Sequence, residues 1–497
     1  MRRETRHSAE LIAAFIATAV LNYAFGVAMS WFFAPAQYGV VGVAQSLLLL
    51  AGLAVGSGFA WTTAHQVAGR GVTDETRRGF RTAWLANIGL GLLAGAGGWV
   101  AYNQGWLSLG PAYDMVVPLL GLTTIILAAR AVVNGAVQGL FQFNALAVNK
   151  VGEVVVKVAA GFALVIAGMG VAGVVAAFAI GAAAALVHSL WVVRRARLWR
   201  GRGWLEWSVI PPTVPLYLGM LGTALMLNLD ILGLRFLAPA GQGDLLAGLY
   251  QAAVVLARTP VFVAQALTPV LFSYSAGTGG LERGGIERAS GYVREAFRVW
   301  IRLLLPGGAL LMLAPTATLT LLFPDSYQAA APALRLAAGG AVLLALVTLL
   351  VAVCQGAGDR RRPAVAAALA TAAQIGMLAW LVPRWGAVGA AMSLVTAGVI
   401  ALAGLVPAIW PYRAALVGRD RRQVWRGLWQ NALPLLALVI PLIVVPDGGR
   451  LLALLKLGPA VLAYLIALLL VHPWSLQGSE RPLQSLVGQF VEMLIGG

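Results

Sequence analysis

Apolar stretches of 18 residues or more recur along the whole chain, broken by short segments rich in arginine. Wound as a helix, a run of that length satisfies its own backbone across a bilayer, which an open strand or loop cannot do. The pattern predicts fourteen spans, at about 11–33, 39–64, 82–103, 114–140, 151–169, 171–193, 209–236, 245–273, 296–323, 331–355, 364–383, 386–411, 427–446 and 450–472. This is the signature of an all-α integral membrane protein, and with 60% apolar residues a soluble reading does not survive.

The polar positions orient those spans. Basic residues are retained on the cytoplasmic side of a membrane. With the N-terminus inside, the inner segments collect Arg2, Arg3, Arg6, then Arg70, Arg77, Arg78, Arg81, then Arg194, Arg195, Arg197, Arg200, Arg202, and so on to Arg419, Arg421 and Arg422. The outer loops hold only Arg384 and Arg450. Both termini are therefore expected in the cytoplasm of a multi-pass protein of the cytoplasmic (inner) membrane. The basic lead before span 1 precedes a run too long for a signal peptide, so that run reads as a retained span.

The chain also contains itself twice. FFAP (Phe32–Pro35) ends span 1 as FLAP (Phe236–Pro239) ends span 7, and Gln45 early in span 2 matches Gln251 in span 8. Gln138–Gly139 closes span 4 as Gln355–Gly356 closes span 10. GVAG (Gly170–Gly173) opens span 6 as GAVG (Gly386–Gly389) opens span 12. Six spans per copy is an even number, so both copies enter the membrane in the same sense, related by a pseudo-two-fold along its normal. The predicted organisation is two pseudo-symmetric six-helix lobes, 1–195 and 209–412, joined by a cytoplasmic linker at 196–208. Two extra spans follow within 425–472. A tail at 473–497 carries Leu483, Leu486, Val487, Phe490, Val491 and Leu494 at helical spacing, and reads as an amphipathic cytoplasmic helix. Gly52/Gly56, Gly91/Gly95 and Gly135/Gly139 are GxxxG pairs suited to close helix packing.

A net charge of +17 raises the question of nucleic acid, but the charges sit in short loops beside spans rather than in a basic domain. Nucleic acid is excluded as a partner; membrane lipid is expected as one. One cysteine, Cys354, rules out an internal disulfide, and His7, His65, His188 and His472 are too scattered to hold a metal. No phosphate-binding loop, nucleophile–base set or catalytic outer loop is visible, so neither an enzyme nor a cofactor is expected, while a coupling cation stays open.

Charge inside the membrane is where function shows, since each mid-membrane charge costs about 2.5–3.5 kcal/mol on the insertion scale. Arg335 and Lys456 lie near the outer surface and are expected to snorkel, while Arg235 lies at the outer end of span 7 and Glu153 at the inner end of span 5. Glu153 and Lys157 are i,i+4 neighbours, for which a local ion pair is the plain reading and a coupling role the sharper one. Arg130 and Arg258 fall near the midplane and Arg302 two turns in from the cytoplasm; Asp230 is the deepest carboxylate. Deep cations outnumber deep anions, which suits a phosphate or pyrophosphate ligand. The competing reading pairs Arg258 with Asp230 as a structural tie. Pro260, two residues past Arg258, leaves the Leu256 carbonyl without its helical donor and predicts a bend that could serve as a gate.

Three segments carry a family resemblance: FFAPAQYGVVGVAQSLLLLAGLAVGSGFA, VVNGAVQGLFQFNALAVNKVGEVVVKVAAGFALVIAGMGVAG and LNLDILGLRFLAPAGQGDLLAGLYQAA. Over about 8–475 the chain resembles the lipid-linked oligosaccharide (polysaccharide) flippases of the multidrug/oligosaccharidyl-lipid/polysaccharide exporter superfamily. The resemblance implies alternating-access transport of a polyprenyl-pyrophosphate-linked glycan to the outer leaflet. It also implies glycan polymerases or glycosyltransferases as further partners, and a cationic cavity lined by spans 1, 2, 7 and 8. The matching polar positions are Asn22, Gln45, Asn228, Asp230, Gln251 and Arg258. Span 1 has no arginine at depth, unlike the lipid II flippases of the superfamily, so the cavity charge would come from Arg130, Arg258 and Arg302. Three alternatives stay open: a cation-coupled drug exporter of the same fold, a glycan polymerase or ligase, and a non-transporting scaffold of glycan assembly.

Overall fold

The computed structural model describes residues 17–56, 58–106, 110–199, 206, 225–276, 283–359, 361–412 and 421–471, and among these every long element is a helix. The first half runs α1 (Ala17–Ser30), α2 (Pro35–Gly56), α3 (Gly58–Arg70), α4 (Asp74–Asn103), α5 (Val116–Gly139), α6 (Phe143–Leu164) and α7 (Gly170–Arg195). The second half begins with α8 (225–237), α9 (Gly243–Ala257), α10 (Thr259–Ala276) and α11 (Arg283–Val299). It continues with α12 (Leu305–Leu313), α13 (Pro315–Leu322), α14 (Ala331–Gly356) and α15 (Arg361–Ile409). The chain then adds α16 (Arg421–Val444) and α17 (Arg450–Val471). The amphipathic tail predicted at 473–497 and the first part of span 7 lie outside the described residues.

Among the described residues seven helices are long and apolar enough to cross a membrane, or eight when a bent pair counts as one. Two of the seven, Asn144–Arg195 and Arg361–Tyr412, run for 52 residues each, twice what a bilayer needs. Both fold back on themselves. In the first, a Cβ on Gly181 would meet the Glu153 carbonyl at 2.8 Å and one on Gly173 would meet Leu164 at 3.0 Å, so α6 and α7 are antiparallel. The second places Gly404 against Ala366 and Gly389 against Leu381 in the same manner. The corners are the repeated glycine motifs. Gly170 takes φ 56° and ψ −138°, and Gly386 takes φ 50° and ψ −125°, a region that side chains with a Cβ avoid.

Small residues bring the first-half helices together. Gly91 and Gly95 of α4 lie on Ala128 and Gly121 of α5, while Gly135 and Gly139 of α5 lie on Ala60 and Ala64 of α3. Lipid tails are as apolar as leucine, so such close backbone approach, rather than hydrophobic burial, drives association. Correspondingly, Leu93, Ile166, Val187, Ile443 and Leu470 point away from the protein. At the loop-side ends of α4 and α7 a conventional core remains, with Phe80 and Trp84 edge-on to Trp199 at 5.0 Å. Thr73 caps α4 reciprocally with Thr76, and Asp74 and Glu75 sit in its positive first turn.

The chain divides into two compact units, residues 1–251 with 378–390, and 252–377 with 391–497. In the second unit α16 and α17 pack on the span-9 helices through Leu438, Leu442, Ala453, Leu457 and Tyr464 against Ala314 and Ala317.

Candidate functional site

A polar stripe runs through the apolar first unit because α5 and α6 are antiparallel neighbours with polar residues at four-residue spacing. Arg130 and Asn134 share one face of α5; Asn149, Glu153 and Lys157 share one face of α6. The faces meet in register. Arg130 forms a direct ion pair with Glu153. Asn149 donates to Asn134 Oδ1 at 2.9 Å and to Ser189 Oγ at 2.8 Å, and Ser189 donates to Asn134 at 2.6 Å, closing a triangle across α5, α6 and α7. Arg130 is held in place from the far side of α5, where Trp84 and Asn87 of α4 donate to the carbonyls of Ala129 and Ala128 at 3.0 and 2.7 Å.

Glu153 therefore turns to Arg130 across the helix pair and not to its i+4 neighbour. Lys157 instead donates to Asn22 Oδ1 on α1, and its ammonium lies 4.8 Å from the Phe178 ring centre and 5.5 Å from that of Phe25. Desolvated cation–π contacts of this kind are worth about 2 kcal/mol and stabilise a lysine that lipid would expel. Asn22 is set by its own donation to the Thr18 carbonyl at 2.9 Å. Gly181 leaves the room: a Cβ there would lie 2.9 Å from that of Lys157. Lys150, one turn before Glu153 and half-buried, feels the charges of both Arg130 and Glu153. Three cations thus surround one carboxylate.

The second-half positions of this unit converge elsewhere. Asp230 is fully buried, accepting from the Tyr250 hydroxyl at 3.0 Å and from the Ile231 amide at 2.9 Å, with Asn228 buried beside it in sequence. The repeat-related glutamines touch, Gln251 donating to Gln45 at 3.2 Å. Around them α2 and α9 meet backbone on backbone: a Cβ on Gly39 or on Gly248 would overlap the carbonyl of Asp244 or of Pro35. At the same end Asp244 forms an ion pair with Arg235, its Oδ1 2.8 Å from Nε, and accepts from the Tyr113 hydroxyl at 2.7 Å. Arg235, placed by the sequence at the outer end of span 7, is part of this latch, which lies at the end of the spans that the charge pattern assigns to the outside.

In the second unit the helix breaks at Arg258, with a 48° bend between α9 and α10. The orphaned Leu256 carbonyl is taken by the Thr259 hydroxyl at 2.9 Å, so Pro260 bends the span without leaving a bare acceptor. Arg258 occupies the corner and is 7% exposed. Arg302 sits in a π-helical turn, Trp300–Leu304. Its Nε donates to Asn431 of α16 at 3.2 Å, and its carbonyl accepts from the Tyr464 hydroxyl of α17. Among the described residues no group of three or more His, Cys, Asp or Glu could hold a metal.

Lys150, Asn134, Asn149, Ser189 and the Tyr113–Arg235–Asp244 latch escaped the sequence reading. For Asn134 and Asn149 the four-residue spacing on facing spans was a usable signal; for Tyr113, which joins the latch from 131 residues before Asp244, nothing local was.

Helix hairpins with glycine corners and ionisable groups gathered inside an apolar bundle define a polytopic membrane protein, and solved structures share its fold. The lipid II flippase MurJ in an inward closed conformation superposes with TM-score 0.73 at 12% identity, covering 94% of this chain and 99% of that one. An inward-facing multidrug resistance MATE family transporter of the MOP superfamily gives 0.66 at 17%, covering 81% and 96%. A MOP superfamily transporter from Pyrococcus furiosus gives 0.60 at 17%, covering 83% and 96%. No curated protein matches the sequence. Residues 28–332 match the profile of the polysaccharide biosynthesis protein family, and the chain belongs to that family.

Proposed function

We propose that this protein moves a polyprenyl-pyrophosphate-linked glycan across the cytoplasmic membrane, from the inner to the outer leaflet, by alternating access between two six-helix lobes. The observation that carries the reading is the sign of the charge at the α5–α6 stripe of the first unit, where Arg130 pairs with Glu153 and Lys150 and Lys157 lie one turn to either side of that carboxylate; the buried Asp230 lies apart from it, bonded to Tyr250. Net positive charge in a low-dielectric interior is costly unless an anion visits it, and a pyrophosphate is an anion of suitable charge and hydrogen-bonding capacity.

The latch at Tyr113, Arg235 and Asp244 supports an inward-open resting form, since it fastens the end assigned to the outside. Membership of a polysaccharide biosynthesis family supports a glycan passenger, and the lipid-linked cargo named for one structural neighbour supports a prenyl tail left in the bilayer. Glycosyltransferases or a polymerase would be the functional partners, and both termini would be cytoplasmic. Deleting the gene tests this. Lipid-linked glycan should accumulate on the inner leaflet and be cleared by the wild-type gene; normal surface polysaccharide with no such accumulation contradicts the reading.

A further inference from the structure

The Arg130–Glu153 pair has an unusual setting for a structural tie. A tie is sealed, like the Asn134–Asn149–Ser189 triangle one turn away, where Asn149 is 5% and Ser189 1% exposed. The ion pair is not: 18% of the Arg130 side chain and 25% of Glu153 remain uncovered by protein. It also has surplus cation on both sides. Lys150 lies one turn before Glu153 and Lys157 one turn after it on the same helix, and both feel its charge.

We infer that Glu153 is a resident counter-anion which occupies Arg130 until the passenger's phosphate displaces it. The inference rests on the proposed anionic passenger. An incoming pyrophosphate offers Arg130 bidentate recognition with more charge than the carboxylate. Glu153 then re-pairs with Lys157, the neighbour that favours it in the Glu-to-Lys i,i+4 order. That step competes with the Asn22 contact of Lys157, so α1 loses a tether when the anion binds. Anion arrival in α5–α6 is thereby read out at the first span. When the passenger leaves, Glu153 returns to Arg130 and prevents rebinding.

The test uses the full-length protein in nanodiscs with farnesyl pyrophosphate as probe and farnesol as the uncharged control. Glu153→Gln should bind the pyrophosphate at least fivefold tighter than wild type, with farnesol binding unchanged. Arg130→Gln should weaken pyrophosphate binding, and Arg130→Gln with Glu153→Gln should resemble Arg130→Gln alone, because the competitor matters only where Arg130 is present. Glu153→Asp, which shortens the reach to Arg130, should give an intermediate gain and serves if Glu153→Gln fails to fold. Wild type that binds the probe while Glu153→Gln and Glu153→Asp bind it equally or more weakly overturns the inference and spares the anionic passenger. Failure of every form to bind overturns both.

Discussion

Asn149 shows how a polar side chain can be indispensable inside a membrane protein without touching cargo. Its amide donates to both Asn134 and Ser189, and Asn149 and Ser189 are buried between helices. Asn149→Ala leaves the buried Ser189 Oγ without its donor, while Asn134 keeps the one from Ser189; this costs about 1–3 kcal/mol and should lower the thermal unfolding midpoint in detergent while leaving helix content unchanged. Asp244→Asn acts on the latch. It removes the charge that holds Arg235 and leaves Tyr113 a weaker acceptor, so a cysteine at exposed Leu245 should label faster than in the parent. Unchanged labelling would mean that the glycine contacts alone keep this end shut. At this scale the sequence was partly legible. Depth within its span exposed Arg130, and four-residue spacing exposed Glu153 with Lys157, but a helix wheel cannot say which neighbour a carboxylate chooses. Glu153 chose Arg130 because antiparallel packing of α5 and α6 puts that guanidinium opposite it, a tertiary fact.

Among the elements, the two 52-residue helical stretches are governed by their corners. Gly170 and Gly386 hold conformations that a Cβ opposes, and at Gly386 the added carbon would also press on Leu246 at 3.2 Å. Gly170→Ala should therefore cost about 1–3 kcal/mol of backbone strain. Gly152→Ala, in the same helix hairpin with open space at its Cβ, should be neutral or stabilise by about 1 kcal/mol. Comparing their midpoints in one thermal melt checks this, and equal effects would refute the corner assignment. These corners were foreshadowed by GVAG and GAVG standing at matching places in the two halves. The bend at Arg258 was foreshadowed by Pro260, although the Thr259 hydroxyl that caps the freed carbonyl was not. Hydropathy reads spans well because the bilayer imposes backbone satisfaction on every helix. It is blind to how a span's ends are fastened, which is why the ion pair of Arg235 with Asp244 was not foreseen.

For the whole molecule, the central claim is electrostatic: an apolar bundle keeps more positive than negative charge in its interior so that an anionic lipid headgroup can pass. The two added helices bear on the same economy of charge, since Asn431 and Tyr464 hold both the side chain and the backbone of Arg302. Tyr464→Phe frees that carbonyl and should cost about 1 kcal/mol, with a larger loss of transport than of stability if Arg302 must be aimed. The decisive measurement is leaflet-to-leaflet movement of a fluorescent polyprenyl-pyrophosphate glycan in proteoliposomes. Wild type should move it, and Arg130→Gln combined with Lys157→Gln should abolish that movement in protein that still elutes as a folded species. Undiminished movement by the double variant, or equally fast movement of the uncharged polyprenol analogue by wild type, would contradict the claim.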